Sequence, residues 1–429
     1  MKKVTIISLG CEKNLVDSEN ILGLLDHDKY TLVGSIEESD IVIINTCGFI
    51  EPSKRESIQT ILDVIPFNKK IVVTGCLVER YIEDLKIEIP EVSLWIPIRE
   101  YSHFNDLLSS IDDELTASGG LEDKYRIIST GDYSAYLKIG EGCDNRCSYC
   151  AIPLIRGGFK SRSMSSILEE AKLLESKGYK ELIILEQDTT KYGIDLCNGE
   201  NIVSLLKELL KFKGFKYIRL LYLYPDEISN ELIDLISKEE RLTPYFDIPI
   251  QHSETHILES MNRRGNKEYL YSLFKSIKQK IPHAIFRTTI MVGFPGETEM
   301  DVSNLIDFIS DIEFDHLGCF TYSKEEGTAS FNMTNQIDET VKEKRKDLVM
   351  KAQQKISYKK CKSHIGEIMQ GIIIGKEKGY YLLRSYWNAP GDIDGKIFVS
   401  SKKELKEGDI IKVQITDAFV YDLFASLKE

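Results

Sequence analysis

Hydrophobic residues in the first hundred positions gather in short unbroken runs instead of alternating with polar ones. Val4-Thr5-Ile6-Ile7-Ser8-Leu9, Ile41-Val42-Ile43-Ile44 and Ile71-Val72-Val73 are rich in β-branched side chains and bounded by polar segments. Such runs predict strands buried on both faces of a parallel sheet. Helical patterns follow each, over residues 18–25, 53–65 and 79–85. This repetition implies right-handed crossovers and an open parallel α/β sheet, assigned to residues 1–116. Met1-Lys2-Lys3 before the first run does not make a secretion signal, because Cys11-Glu12-Lys13 cuts the apolar stretch short.

A glycine-bearing polar stretch at 115–122 reads as a linker, and strand–helix alternation resumes beyond it. Strand-like runs occupy 135–139, 181–185, 217–222, 245–250, 284–292 and 316–320. Helical patterns cover 166–176, 202–211, 229–236, 267–280 and 299–310, the first opening with Ser166 and Glu169 at capping-box spacing. Six βα units are too few for a closed eight-stranded barrel. Residues 129–360 therefore predict a partial (βα)6 barrel with its functional residues at the carboxyl ends of the strands. A charged helix at 338–360 leads to short strands at 365–374, 380–385, 396–399, 410–418 and 423–427, divided by Gly and Pro turns. Residues 361–429 predict a small antiparallel β-barrel.

Composition excludes more than it selects. At 429 residues, with 29% charged and 42% hydrophobic, the chain exceeds one core but is otherwise an ordinary globular protein. No apolar run is long enough to span a bilayer. A formal net charge of −13 argues against a surface built throughout for nucleic acid and suits a basic partner. Nine cysteines in a chain of cytoplasmic character point to metal ligands rather than disulfides.

Chemistry concentrates on the loop after the first barrel strand, where Cys143, Cys147 and Cys150 stand at C-x3-C-x2-C spacing. Three thiolates on a short loop can hold three irons of an iron–sulfur cube and leave the fourth open to a small molecule. A zinc knuckle would need a fourth Cys or His close by, and none follows at usable spacing. Cys11, Cys47 and Cys76 each fall just past the end of a predicted parallel strand, with a glycine beside each. Parallel strands share that edge, so the three converge on a second three-thiolate site. A buried Cys can also be no more than a small hydrophobe, and that alternative stands for each taken singly. Cys197, Cys319 and Cys361 match no ligand position and read as free thiols.

The loop, with Tyr149 before its third Cys, resembles the radical S-adenosylmethionine (SAM) superfamily. That resemblance implies a 4Fe-4S cluster on Cys143, Cys147 and Cys150, with the SAM amino and carboxylate groups on the open iron. The strand-end cysteines resemble those of the methylthiotransferases, which carry an auxiliary 4Fe-4S cluster in an amino-terminal domain. The run Ser8-Leu9-Gly10-Cys11-Glu12-Lys13-Asn14-Leu15-Val16-Asp17-Ser18-Glu19 is similar to the RimO family, the branch that modifies a ribosomal protein. The tRNA-modifying branch typically has Gln-Met where this chain has Glu12-Lys13. Gln187-Asp188-Thr189-Thr190, Leu221-Tyr222-Leu223-Tyr224-Pro225 and Arg384-Ser385-Tyr386 with Asp394-Gly395 resemble the same branch. The last segment resembles a TRAM domain.

This resemblance implies a methylthio group added to the β-carbon of an aspartate in small-subunit ribosomal protein S12. SAM would serve both as methyl donor and as source of a 5′-deoxyadenosyl radical. It implies that Tyr149, Gln187 and Gly293 lie beside SAM, and that a reductant such as flavodoxin or ferredoxin supplies electrons. Two other readings are a tRNA methylthiotransferase acting on a hypermodified adenosine next to the anticodon and a non-catalytic iron–sulfur carrier. The tail from Lys362 to Glu429 balances ten Lys and Arg against ten Asp and Glu, which suits a basic protein better than tRNA, with Asp392 and Asp394 as candidate acidic contacts. The Lys cluster at 402–406 argues the other way. Arg156 and Arg162 are candidates to meet a substrate or SAM carboxylate, with solvated surface positions equally open. His252 reads as a hydrogen-bonded structural residue rather than a base.

Overall fold

In the computed structural model, which describes residues 1–25, 29–111, 126–391 and 393–428, the early β-branched runs assemble into one sheet. The first unit comprises β1 (Lys2–Ser8), α1 (Glu12–Leu24), β2 (Tyr30–Leu32), β3 (Ile41–Thr46), α2 (Glu51–Val64), β4 (Lys70–Gly75), α3 (Cys76–Glu88), β5 (Leu94–Ile96) and α4 (Phe104–Ser109). Strand order is β2-β1-β3-β4-β5, parallel throughout. β3 is buried along its whole length, as its unbroken apolar run requires. The three-residue edge strands β2 and β5 are additions to the sequence reading, being too short to carry a pattern. The predicted linker at 115–122 lies outside the described residues.

α1 starts at Glu12 rather than at residue 18, and its buried face includes Lys13, Asn14, Asp17, Ser18, Glu19 and Asn20. A helix that buries polar side chains shows no hydrophobic period, which is why its first turn and a half escaped the pattern. α3 likewise begins at Cys76, at the very end of β4.

The central unit runs β6 (Ser134–Lys138), β7 (Gly140–Glu141), α5 (Ile152–Arg156), β8 (Lys160–Ser161), α6 (Met164–Ser176), β9 (Glu181–Leu185), α7 (Ile202–Leu209), β10 (Tyr217–Leu220), α8 (Asn230–Lys238), β11 (Tyr245–Asp247), α9 (Thr255–Ser260), α10 (Lys267–Lys280), β12 (Ile285–Val292), α11 (Glu299–Ile312), β13 (His316–Thr321) and α12 (Glu339–Ser363). The parallel sheets β10-β9-β6 and β11-β12-β13 are joined by an Ile218–Leu242 bridge and a 2.8 Å bond from Leu223 N–H to Asp247 O. The six predicted strands thus form an open half-barrel. Ser163, not Ser166, caps α6, accepting from the Ser166 amide at 3.3 Å. Alternate strand residues such as Leu182 and Ile184 pack under the helices, while Tyr136, Ile183, Leu185 and Tyr245 face the concave side.

A closed five-stranded barrel plugs part of that concave side. Its strands β14 (Ile368–Glu377), β15 (Tyr380–Ser385), β16 (Ile397–Ser400), β17 (Ile410–Ala418) and β18 (Leu423–Leu427) close in the order β14-β15-β16-β18-β17. Pairing is antiparallel except between β16 and β18, because β18 is the hairpin partner of β17 and inserts beside β16. Arg384, Ser385, Ala389 and Asp394 dock into the half-barrel. Arg384 Nε donates to Glu181 Oε2 at 2.7 Å and Arg219 Nη2 to the Ser385 carbonyl at 2.6 Å. Tyr245 donates to Asp394 at 2.6 Å, with Arg287 Nε and the Ala389 amide on the same carboxylate. Asp394 is therefore consumed inside the protein and offers no charge to a basic partner, contrary to the sequence expectation; Asp392 lies outside the described residues. Among the described residues no helix is long and apolar enough to cross a membrane.

Candidate site between two cysteine triads

Cys11, Cys47 and Cys76 meet at the carboxyl edge of the first sheet, close enough that Cys76 senses the charge of both others and Cys11 that of Cys47. Asn14 gathers them. Its amide donates to Leu9 O at 3.0 Å and Thr46 O at 2.9 Å, and its Oδ1 accepts from Cys76 Sγ at 3.4 Å. Ser57 bridges the Cys47 amide and carbonyl at 3.0 and 2.8 Å. At Gly10, with φ of +87°, a Cβ would sit 2.8 Å from Cys47 Cβ, so only glycine lets these strand ends close up.

The second triad is held by its loop's own backbone and by the barrel. The Cys143 amide donates to Gly157 O at 3.2 Å, and the Cys150 amide to Cys147 O at 3.0 Å. Gly142 (φ +78°) passes so near the Gly158 carbonyl that a Cβ would lie 2.1 Å from its oxygen. Ser148 is pinned from both sides, its amide on Met261 O at 2.9 Å and its carbonyl accepting from the Ser330 amide at 2.8 Å. Cys147 and Cys150 pack against an apolar cluster of Tyr149, Ile257, Met261, Phe294 and Tyr322. Arg263 Nη1 reaches Tyr149 Oη at 3.3 Å and Cys147 Sγ at 3.8 Å, with its guanidinium 4.3 Å above the Tyr224 ring.

A charge network ties the two flanks of the loop to α1 and to the strand-end triad. Arg156 pairs with Asp17 at 2.5 Å and Glu141 at 3.4 Å, Lys138 with Asp17 at 3.0 Å, and Lys13 with Glu186 at 3.3 Å. Burial alone would raise the Glu141 carboxyl, but Arg156, Lys138 and Lys13 outweigh it and hold the group well below the usual range. Burial pushes Glu186 the other way, up to about 7, and lowers Lys13. Neither Arg156 nor Arg162 is on the solvated surface or waiting for a ligand carboxylate. Arg162 is bound to Lys138 O and Glu170, both at 2.6 Å.

Tyr149 is buried beside the loop thiols. Gln187 donates to Glu141 Oε1 at 3.1 Å, and its own Oε1 is a buried acceptor without a hydrogen-bond partner, as is Glu186 Oε2. Gly293 is turned inward: its amide donates to both Glu297 oxygens at 2.9 Å, and the Lys342 stem fills the space a Cβ would take. His252 is fully buried, with Nδ1 accepting from the Glu254 amide at 3.0 Å, in keeping with a structural role. Cys197 sits exposed in a turn, Cys319 in β13 and Cys361 in α12, apart from both triads.

The donor sets fit three-thiolate clusters. Among the described residues no three His, Cys, Asp or Glu side chains converge on a single ion, whereas cluster thiolates bind separate irons and need not converge. Cys11 is exposed by its own surface, yet enough protein surrounds it that burial pushes its thiol up, as for a group lining an enclosed space. Burial likewise raises Cys76, to about 11, and Cys143. Gln187 Oε1 and Glu186 Oε2, just past the end of β9, are buried without partners. Sequence reasoning missed Asn14, Asp17, Lys13, Glu141 and Arg263; the first three stand in the run that begins at Ser8 and were visible only as a branch-like string.

Residues 3–97 match the model described as uncharacterized protein family UPF0004, residues 137–309 the radical SAM superfamily and residues 365–427 the TRAM domain. The ribosomal protein uS12 methylthiotransferase RimO of Clostridioides difficile (strain 630) is 44% identical, over 100% of this chain and 99% of that protein. Those of Thermoanaerobacter sp. (strain X514) and Aquifex aeolicus (strain VF5) are 45% and 44% identical, covering 99% and 98% of this chain and 99% and 96% of theirs. Among solved structures, the radical SAM methyltransferase TsrM of Kitasatospora setae superposes with a TM-score of 0.56 at 12% identity, over 74% of this chain and 73% of that one. The cobalamin-dependent radical SAM enzyme OxsB gives 0.53 at 13%, over 82% of this chain and 56% of that one. Those two share the fold alone. The full-length relatives decide the family: this chain belongs to the RimO family of radical SAM ribosomal protein uS12 methylthiotransferases.

Proposed function

We propose that this enzyme adds a methylthio group to the β-carbon of an aspartate in ribosomal protein uS12, and that it does so with two iron–sulfur clusters. Radical SAM membership brings one 4Fe-4S cluster and SAM; the reading assigns them to Cys143, Cys147 and Cys150, beside Tyr149 and Gln187, with Gly293 close by. It assigns a second cluster to Cys11, Cys47 and Cys76. When bound, these groups supply the one-electron chemistry that removes hydrogen from an unactivated carbon, and the sulfur that replaces it. Proton abstraction there lies beyond any tuned side-chain base.

The chain's own part is confinement and placement. Tyr149, Phe294 and Tyr322 form a dry wall behind the loop thiols, and the Arg156 network locks the loop to the first sheet. Exclusion of water around such a site limits side reactions. Three consecutive units, 1–116, 129–360 and 361–429, would carry the strand-end triad, the SAM site and the substrate-facing barrel. A flavodoxin- or ferredoxin-like reductant and a cytoplasmic location complete the reading.

What supports it is the pair of three-cysteine sets, one at the edge of the first sheet with Arg156 against Cys76 and one on the loop before α5, in a chain aligned end to end with uS12 methylthiotransferases. Mass spectrometry of uS12 peptides and of digested tRNA from a deletion strain tests it. The methylthio mass should vanish from the peptide and stay in tRNA; the reverse would replace uS12 by tRNA as substrate.

A further inference from the structure

The helix that follows the loop cysteines reaches into the other triad. α5 begins two residues after Cys150 and ends on Arg156, whose side chain is 2% exposed. Nη1 donates to Asp17 Oδ2 at 2.5 Å, and Nη2 donates to Asn14 Oδ1 and approaches Cys76 Sγ to 3.6 Å. A residue of the SAM-site segment thus places a cation and an N–H against a sulfur of the strand-end site. On the far side of the guanidinium stand Asp17 and Glu141, which offset its charge.

We propose that Arg156 is a positioning residue for the strand-end iron–sulfur centre and sets its reduction potential. The inference rests on the reading that Cys11, Cys47 and Cys76 hold a cluster. Reduction adds negative charge to a cluster, and a cation or N–H at a ligand sulfur favours that state, so the Arg156 contact raises the potential. Asp17 opposes it. Because α5 is continuous with the loop of Cys143 to Cys150, the order of one site is transmitted to the electronics of the other.

The test is an anaerobic potentiometric titration, followed by EPR, of the full chain with both centres reconstituted. SAM is added to mark the loop centre's signal. R156Q should move the strand-end midpoint to more negative potential and D17N to more positive, with the loop centre unmoved in both. General loosening of the site would not give opposite signs. Unchanged midpoints, or shifts of one sign, overturn the proposal. Should R156Q fail to fold, R156K, which keeps the charge and loses the fork, should shift negative by less, and D17N still gives the opposing arm. C76A separates the two levels. If it keeps full iron and both signals, the second cluster itself is wrong; if its signal is lost while R156K and D17N leave the midpoint unmoved, only the role of Arg156 falls.

Discussion

Lys13 and Glu186 meet at 3.3 Å between the first turn of α1 and the end of β9, both side chains almost wholly buried. Burial, with Glu141 nearby, raises the Glu186 carboxyl from 4.5 to about 7 despite Lys13. From about pH 4.5 to 7 the native chain holds a proton that the unfolded chain has lost, so stability falls as pH rises through this window. The full loss above it is ~3 kcal/mol at 1.36 kcal/mol per unit. Glu186→Gln should abolish this decline. Urea midpoints of wild type and variant, measured anaerobically at pH 5 and 8, should diverge in the variant's favour as pH rises; parallel curves would refute the assignment.

Asp394 accepts from Tyr245, Arg287 and the Ala389 amide within the plug that joins the two barrels. Asp394→Ala leaves the Tyr245 hydroxyl and the Ala389 amide without their acceptor, while Arg287 keeps Asp247 at 3.0 Å, a loss of about 1–3 kcal/mol for each buried group left unpaired. Thermal unfolding should begin earlier, and limited proteolysis should release the last barrel between α12 and β14. An unchanged digest would show that the plug does not hold that barrel.

Asn14→Ala strips the donors from Leu9 O and Thr46 O, at about 1–3 kcal/mol for each buried acceptor left unpaired. Iron analysis should show the content of one cluster lost, with SAM cleavage by the remaining one retained. Full iron in this variant would mean the strand ends hold their spacing without it.

Cys147→Ala should abolish SAM cleavage while the strand-end iron stays, and Cys47→Ala should do the reverse. Loss of all iron in either single variant contradicts two independent sites.

The elements that could be read ahead of the structure are those whose signal is local. Ile41 to Ile44 is a buried strand whatever surrounds it, and Cys143, Cys147 and Cys150 stand out as candidate ligands by spacing alone. What escaped depends on partners distant in the sequence. Arg156 looked like a free cation because Asp17 and Cys76 come from another unit. Asp394 looked like surface charge because Tyr245 and Arg287 belong to a different barrel. The first turns of α1 carry no apolar stripe, since Lys13, Asn14 and Asp17 are buried against ions and carbonyls.

That polar inner face of α1 bears on how this protein could be rebuilt. A greasy seam tolerates exchange of one hydrophobe for another, but matched ions do not. A chimera that grafted the first sheet of a distant relative onto this half-barrel would strand Arg156, Lys138 and Glu186 without counterparts. The modules look separable along the chain, yet they can be traded only together with both halves of the lock.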